Sequence, residues 1–188
     1  MAEHKCVNII LIETSTSLCS VALSQDGIIK SYRESSQTKA HASLTAPFVK
    51  EVLDECGLSI RECDAVCVSS GPGSYTGLRV GVSTAKGLCF GAGIPLLAVS
   101  TMDVLAEMGK DIECRFIVPM IDARRMEVYS AVYANSPAGR PHQISPTEPI
   151  MVGDHSFADR LAEGKVLFIG DGAEKCRALL ACENAIFE

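Results

Sequence analysis

An acid followed by a run of hydroxyls, Glu13-Thr14-Ser15-Thr16, closes a short β-branched apolar stretch. A carboxylate with neighbouring hydroxyls can stand against a phosphate and its magnesium, while a hydroxyl-rich strand end equally serves as a turn or cap. A second segment, Ser69-Ser70-Gly71-Pro72-Gly73-Ser74-Tyr75-Thr76-Gly77, leads from another apolar stretch into a helical one. Free amides at a helix start attract anions. The segment is neither a Walker A loop, since no Lys-Ser or Lys-Thr follows the glycines, nor a dinucleotide fingerprint. The other reading is a tight turn that lets the helix lie close on the sheet. A third cluster, Asp122-Ala123-Arg124-Arg125-Met126-Glu127, falls at the tip of an expected hairpin, where its charges could grip an anion or simply be solvated.

The remaining reactive residue types form no constellation. His4, His41, His142 and His155 are far apart, and none has another His or a Cys at helical ligand spacing, so no metal site is assigned. The nine cysteines include no CxxC, and their scatter fits small buried apolar residues in a reducing compartment. There is no Gly-x-Ser-x-Gly elbow and no Cys beside a His base, which leaves a nucleophilic hydrolase little support.

Composition narrows the class further. The 188 residues are 47% apolar and 21% charged, a balance that builds a globular core without disulfides or metal. A net charge of −6 argues against a free-standing nucleic-acid binder, which needs clustered Lys and Arg. The opening residues show no charged-then-apolar leader, and Val7 to Ile12 is too short to span a bilayer, so the chain reads as cytoplasmic with no membrane contact.

The elements that must position these residues follow from periodicity. Val7–Glu13, Cys19–Ser24 and Ile28–Glu34 read as an antiparallel meander with a turn at Gln25-Asp26-Gly27. Leu44, Phe48, Val49, Val52, Leu53 and Cys56 follow helical spacing over His41–Cys56, with Gly57 as the stop. Ala65–Ser70, Leu78–Ala92 and Pro95–Ser100 then read as a βαβ unit. This order is that of one ribonuclease H-like half of the actin, Hsp70 and sugar kinase superfold (ASKHA), an α/β fold. Thr101–Gly109 is a helix that closes a first domain over 1–109, and a second, reduced α/β half follows over 110–188. Its expected parts are a hairpin of Phe116–Asp122 and Glu127–Tyr133, a Pro-rich loop or edge strand over Pro137–Pro149, and a strand and helix at Val166–Gly170 and Ala173–Leu180. It looks too short to repeat the first half, and the expectation is open to a missing C-terminal segment.

Two helices carry more apolar surface than one sheet contact needs. In the first, the apolar arc covers nearly half the circumference. In the second, Leu78, Val82, Ala85 and Cys89 with Val80 and Gly87 leave only a narrow polar strip of Arg79, Ser83 and Lys86, and Gly77 and Gly81, one turn apart, would admit another backbone. Either the pair is simply well buried, or a face built from Leu44, Phe48, Val52, Gly77, Gly81 and Leu88 is shared with a partner subunit.

Three segments taken together resemble the TsaB (YeaZ) family: Glu13-Thr14-Ser15-Thr16; Gly71 to Gly93 with its Ser-Tyr-Thr-Gly-Leu-Arg and Ala-Lys-Gly-Leu; and Ile121-Asp122-Ala123-Arg124-Arg125-Met126-Glu127-Val128-Tyr129. The family usually has Asp in place of Glu13 and Gly in place of Met126. The resemblance implies a non-catalytic subunit of the machinery that places threonylcarbamoyladenosine (t6A) on tRNA. It would form a homodimer alone and a heterodimer with the catalytic sister TsaD through the two first-domain helices. TsaD, with the ATPase TsaE, would handle ATP and threonylcarbamoyl-adenylate, and this chain would need no cofactor of its own and meet tRNA only through the complex. The superfold places Glu13, Thr14, Ser15 and the Gly71-Pro72-Gly73-Ser74 loop near nucleotide phosphate. TsaD carries a His-x-x-x-His metal pair where this chain aligns Thr101 and Leu105, which cannot replace imidazoles. The competing expectations are an autonomous ATPase or sugar kinase, a glycoprotease-like peptidase, and a plain homodimeric scaffold.

Overall fold

The computed structural model of the chain describes residues 6–37, 40–136 and 139–188. The chain forms two compact units, Met1–Val99 and Ser100–Glu188.

Unit 1 holds a five-stranded sheet in the order β3-β2-β1-β4-β5. The strands are β1 (Asn8–Glu13), β2 (Cys19–Gln25), β3 (Ile28–Ser35), β4 (Ala65–Ser69) and β5 (Leu96–Val99). β1 runs antiparallel to β2 and parallel to β4, with Ile10 opposite both Leu23 and Val66. Asp26 and Gly27 turn β2 into β3 with φ of 50° and 81°, the left-handed pair that matches the twist of a two-residue hairpin. β3 is an edge strand that exposes Ile28, Ile29 and Tyr32.

Helices α1 (His41–Glu55) and α2 (Tyr75–Ala92) share one core with the sheet. Val49, Val52 and Leu53 of α1 and Ala85 and Cys89 of α2 are buried with Ile10, Ile12, Val21 and Leu23. Each such aliphatic side chain is worth about 1.5–3 kcal/mol of burial. The wide apolar arc of α1 is thus divided between the sheet and α2. α2 starts earlier than the expected Leu78: Ser74 caps it, its Oγ accepting from Gly77 N–H at 3.3 Å and its carbonyl from Leu78 N–H at 2.8 Å. Gly93, at φ 72°, ends it.

Unit 2 centres on β6 (Phe116–Asp122), whose first six residues are all buried, as a strand covered on both faces requires. Phe116, Val118 and Met120 join a core with Val166, Phe168, Cys176 and Leu180, whereas Ile117 and Ile121 face Met102, Ala106, Leu167 and Ile169. The second group includes α3 (Thr101–Met108), so this helix belongs to unit 2. The compact units therefore divide at Val99/Ser100 rather than at the boundary expected after Gly109.

The main path of the second sheet is β10-β7-β6-β11-β12, from β7 (Glu127–Ser130), β10 (Glu148–Met151), β11 (Val166–Ile169) and β12 (Ala185–Phe187). β6 is antiparallel to β7 and parallel to β11, which is parallel to β12. This repeats the strand order of unit 1, contrary to the expectation that the second half was too short to do so. What shrinks is the helices: α4 (Ala158–Glu163) and α5 (Ala173–Leu180) have 6 and 8 residues against 15 and 18 in unit 1. The two-half ribonuclease H-like architecture stands, with the reduction in the helical layer.

Smaller differences have local causes. The expected strand Glu127–Tyr133 divides into β7 and β8 (Tyr133–Ala134), which pair with different stretches of β6. Ser130 Oγ donates to the Pro119 carbonyl at 2.8 Å near this break. The expected Pro-rich loop or edge strand holds β9 (His142–Gln143) and the start of the edge strand β10, while its first residue, Pro137, is outside the described residues, as is His4.

Candidate functional site

β1 and β4 are parallel neighbours, so their C-terminal ends meet at one edge of the sheet, where open α/β folds place ligands. Glu13 is the last residue of β1 and folds back onto its own chain. Its Oε1 accepts from Ser15 N–H at 2.6 Å, and its Oε2 accepts from Ser69 Oγ at the end of β4. Both carboxylate oxygens are therefore engaged by protein donors. His41 Nε2 lies 3.1 Å from the Thr16 carbonyl, tying the first residue of α1 to the same turn.

The Gly71 loop lies directly on this turn. Ser74 N–H donates to the Ser15 carbonyl at 2.6 Å. A Cβ at Gly73 would stand 2.3 Å from Ser15 O, one at Gly77 2.1 Å from Thr14 O, and one at Gly81 2.2 Å from Thr14 Oγ1. Gly71 itself takes φ 102°, a conformation favoured by glycine. The glycine spacing is thus accounted for by close approach of loop and helix to the β1 turn. Thr14 and Ser15 are buried, and their hydroxyl oxygens have no hydrogen-bond partner among the described residues.

These contacts correct the expected partner face. Gly77 is approached by the chain's own Thr14 carbonyl and Gly81 by the Thr14 side chain, and Val52 is wholly buried in the core, so none of the three can offer surface to a partner. Leu44 is half-buried, and Phe48 and Leu88 are half-buried against the core of unit 1. Of the two helices, it is the outward side of α2 that leaves large apolar side chains open, with Phe90 94% exposed and Tyr75 75%. Arg79 sits over the Tyr75 ring at 5.4 Å, and Thr76, Arg79, Val80 and Ser83 line a shallow pocket of about 320 Å³. Sequence reasoning located the polar strip of Arg79, Ser83 and Lys86 but missed its aromatic neighbours. Starting the helix at Leu78 left Tyr75 in a loop; with the true start, Tyr75, Arg79, Lys86 and Phe90 fall on one side.

In unit 2 the equivalent place is the end of β6. Asp122 N–H donates to Asp171 Oδ1 at 2.9 Å, and Gly172 N–H to the Met120 carbonyl at 2.9 Å. Lys175 on α5 pairs with Asp122 and donates to the Glu127 carbonyl at 2.7 Å. Its hydrogen bond is the main reason that the Asp122 carboxyl is held below the usual range. The positions aligned with the metal histidines hold Thr101, buried at the start of α3, and Leu105 one turn later. Among the described residues no three His, Cys, Asp or Glu side chains gather as metal ligands, and no helix is long and apolar enough to cross a membrane.

Comparison with known proteins agrees with this architecture. A family model described as TsaD, tRNA N6-adenosine threonylcarbamoyltransferase, matches residues 28–183. The tRNA threonylcarbamoyladenosine biosynthesis protein TsaB of Bacillus subtilis is 32% identical over 164 residues, 87% of this chain and 71% of that protein. TsaB of Escherichia coli is 36% identical over 138 residues, 72% of this chain. The chain spans 59% of the E. coli protein's length and 52% of the Haemophilus influenzae TsaB. The solved structure of YeaZ from Pseudomonas aeruginosa superposes with a TM-score of 0.81 at 26% identity, covering 97% of this chain and 84% of that one. Sequence relatives, fold and the order of motifs converge: the chain belongs to the TsaB (YeaZ) family.

Proposed function

We propose that the chain is a non-catalytic subunit of the t6A synthesis machinery that works by docking onto TsaD. The observation that carries this reading is the outward side of α2, with Phe90 at 94% and Tyr75 at 75% exposure on a helix whose opposite side packs on the core. Large aromatic side chains left open beside a cationic rim are what a protein interface buries at its centre. A non-catalytic role fits the Glu13 carboxylate, whose oxygens are both engaged by the chain's own donors. ATP and threonylcarbamoyl-adenylate would then be handled by TsaD and TsaE, tRNA would be met through the assembly, and a homodimer through the same face would form when TsaD is absent.

The test is Phe90→Glu. The side chain is exposed, so the melting temperature should match the parent. A carboxylate forced into an apolar contact costs several kcal/mol, so co-elution with TsaD and t6A formation in the reconstituted system should be lost. A variant that melts normally and still forms an active complex removes α2 from the interface. Phe48→Glu is the poorer probe, because Phe48 packs on the core and its replacement should lower stability directly.

A further inference from the structure

The hairpin tip of unit 2 is arranged in a way that packing does not demand. Arg124 and Arg125 both take positive φ, 74° and 51°, a conformation disfavoured for any residue with a Cβ. Both are exposed, and among the described residues neither guanidinium has a carboxylate partner within salt-bridge distance. The backbone amides of Arg125 and Met126, at the crest, make no hydrogen bond among the described residues.

Beneath the crest the turn is held firmly. Asp122 Oδ1 accepts from Arg124 N–H at 2.7 Å, and the Arg124 carbonyl accepts from Glu127 N–H at 3.1 Å. Lys175 joins both ends of the hairpin through Asp122 and the Glu127 carbonyl. The acids nearby are Asp122, tied to Lys175; Asp171, which accepts from the Asp122 amide; and Glu127, half-buried at the start of β7.

We propose that this tip is a phosphate-binding prong, in which the Arg124 and Arg125 guanidiniums and the Arg125 and Met126 amides take the oxygens of one phosphate group, from an RNA backbone or a nucleotide. A guanidinium meets a phosphate through two parallel hydrogen bonds, which an ammonium cannot do. Turn amides fixed in advance add donors with no ordering cost at binding. In a chain of net charge −6, a phosphate is held by a local grip of this kind and not by a broad basic surface. The inference stands apart from the docking reading, because its residues lie in unit 2 and the docking face lies on α2.

The experiment titrates the isotope-labelled full chain with inorganic phosphate, ADP and a short single-stranded RNA at constant ionic strength, following backbone amide resonances. The Arg125 and Met126 amides should shift saturably, and the probe that saturates at the lowest concentration identifies the source of the phosphate. In the double variant Arg124→Gly/Arg125→Gly the residues suit the backbone, so the melting temperature should not fall, while binding of that probe weakens at least tenfold. If RNA is the source, its salt dependence should also flatten by about 0.7 for each phosphate that the variant leaves without a guanidinium. Arg124→Lys/Arg125→Lys, which keeps the charge without the fork, should lie between the two. No saturable shift with any probe overturns the proposal, and so does a glycine variant that binds like the parent. Loss of TsaD binding with unchanged phosphate binding would also overturn it, by assigning the tip to a protein carboxylate.

Discussion

The end of β1 in unit 1 and the end of β6 in unit 2 hold the same place in the same strand order, and a glycine loop presses on each, a Cβ at Gly170 falling 2.5 Å from Met120 O, yet the turns that follow the two strands differ. Each ends in an acid, Glu13 or Asp122, beside a Gly-x-Gly turn that leaves the next parallel strand, Gly71-Pro72-Gly73 or Gly170-Asp171-Gly172. In unit 1 helix and loop press onto the turn, so that Gly73, Gly77 and Gly81 lack a side chain because the neighbour occupies its space. In unit 2 the turn after β6 carries arginines in left-handed positions that glycine would fill at less cost. Glycine can thus be required by a neighbour or merely preferred by φ, and shared topology does not carry shared chemistry.

Substitutions can break this contrast. The largest effect is expected for Gly77→Ala, whose methyl group would meet the immovable Thr14 carbonyl. Unit 1 should lose about 3 kcal/mol in urea unfolding, despite the better helix propensity of alanine. A normal melt would show that the β1 turn yields. Gly81→Ala should cost less, since its obstacle is a hydroxyl that can rotate.

Lys175→Met should cost about 1 kcal/mol, because the hairpin loses a charged hydrogen bond and a partner for Asp122. The sign with pH is set by Asp122, whose folded pKa is lowered chiefly by Lys175. Its contribution is fully present above the ordinary carboxylate pKa near 4, and is lost as pH falls through the lower folded value. The parent should therefore lose this increment in acid, whereas Lys175→Met should lose only the smaller part that the Arg124 amide and charge sustain; parallel acid curves for the two proteins would refute the clamp.

Two smaller gains sharpen the comparison. Thr14→Val removes a buried hydroxyl with no partner among the described residues and should raise stability by about 0.5 kcal/mol; a fall of that size would mean the hydroxyl is satisfied in solution. Arg125→Gly should raise it by a few tenths of a kcal/mol, the relief of the left-handed backbone exceeding the entropy glycine adds to the unfolded chain. A fall in melting temperature would instead make the guanidinium part of the fold.

The sequence was legible where an element is long enough to show its own period. The 15 and 18 residues of α1 and α2 and the alternation in β1 to β3 declared themselves. In unit 2 the elements are too short for that: β8 and β9 are two residues each, and β12 is three. The repeat of strand order was nevertheless written in the two acid-terminated strands and their Gly-x-Gly partners, a signal carried by spacing between elements and not within them. At the site, the glycine spacing pointed to a close approach, which is by backbone at Gly77 and by the Thr14 side chain at Gly81. What approaches depends on a meeting of the β1 end and α2, far apart in sequence, and no local pattern reports that.

The exposed edge of unit 1 bears on how the chain must be handled by the cell that makes it. β3 pairs only with β2 among the described strands and shows Ile28, Ile29 and Tyr32 to water, the composition that recruits a foreign strand. Lys30 stands between these apolar residues, and Arg33 is anchored to Glu51 and Glu55 of α1, so that a second copy adding here would bury a cation or dislodge an ion pair. Lys30→Val would erase that toll. The protein would fold as before and keep its melting temperature, and the harm would appear as a lower soluble yield, a defect of the sheet's border and not of its core.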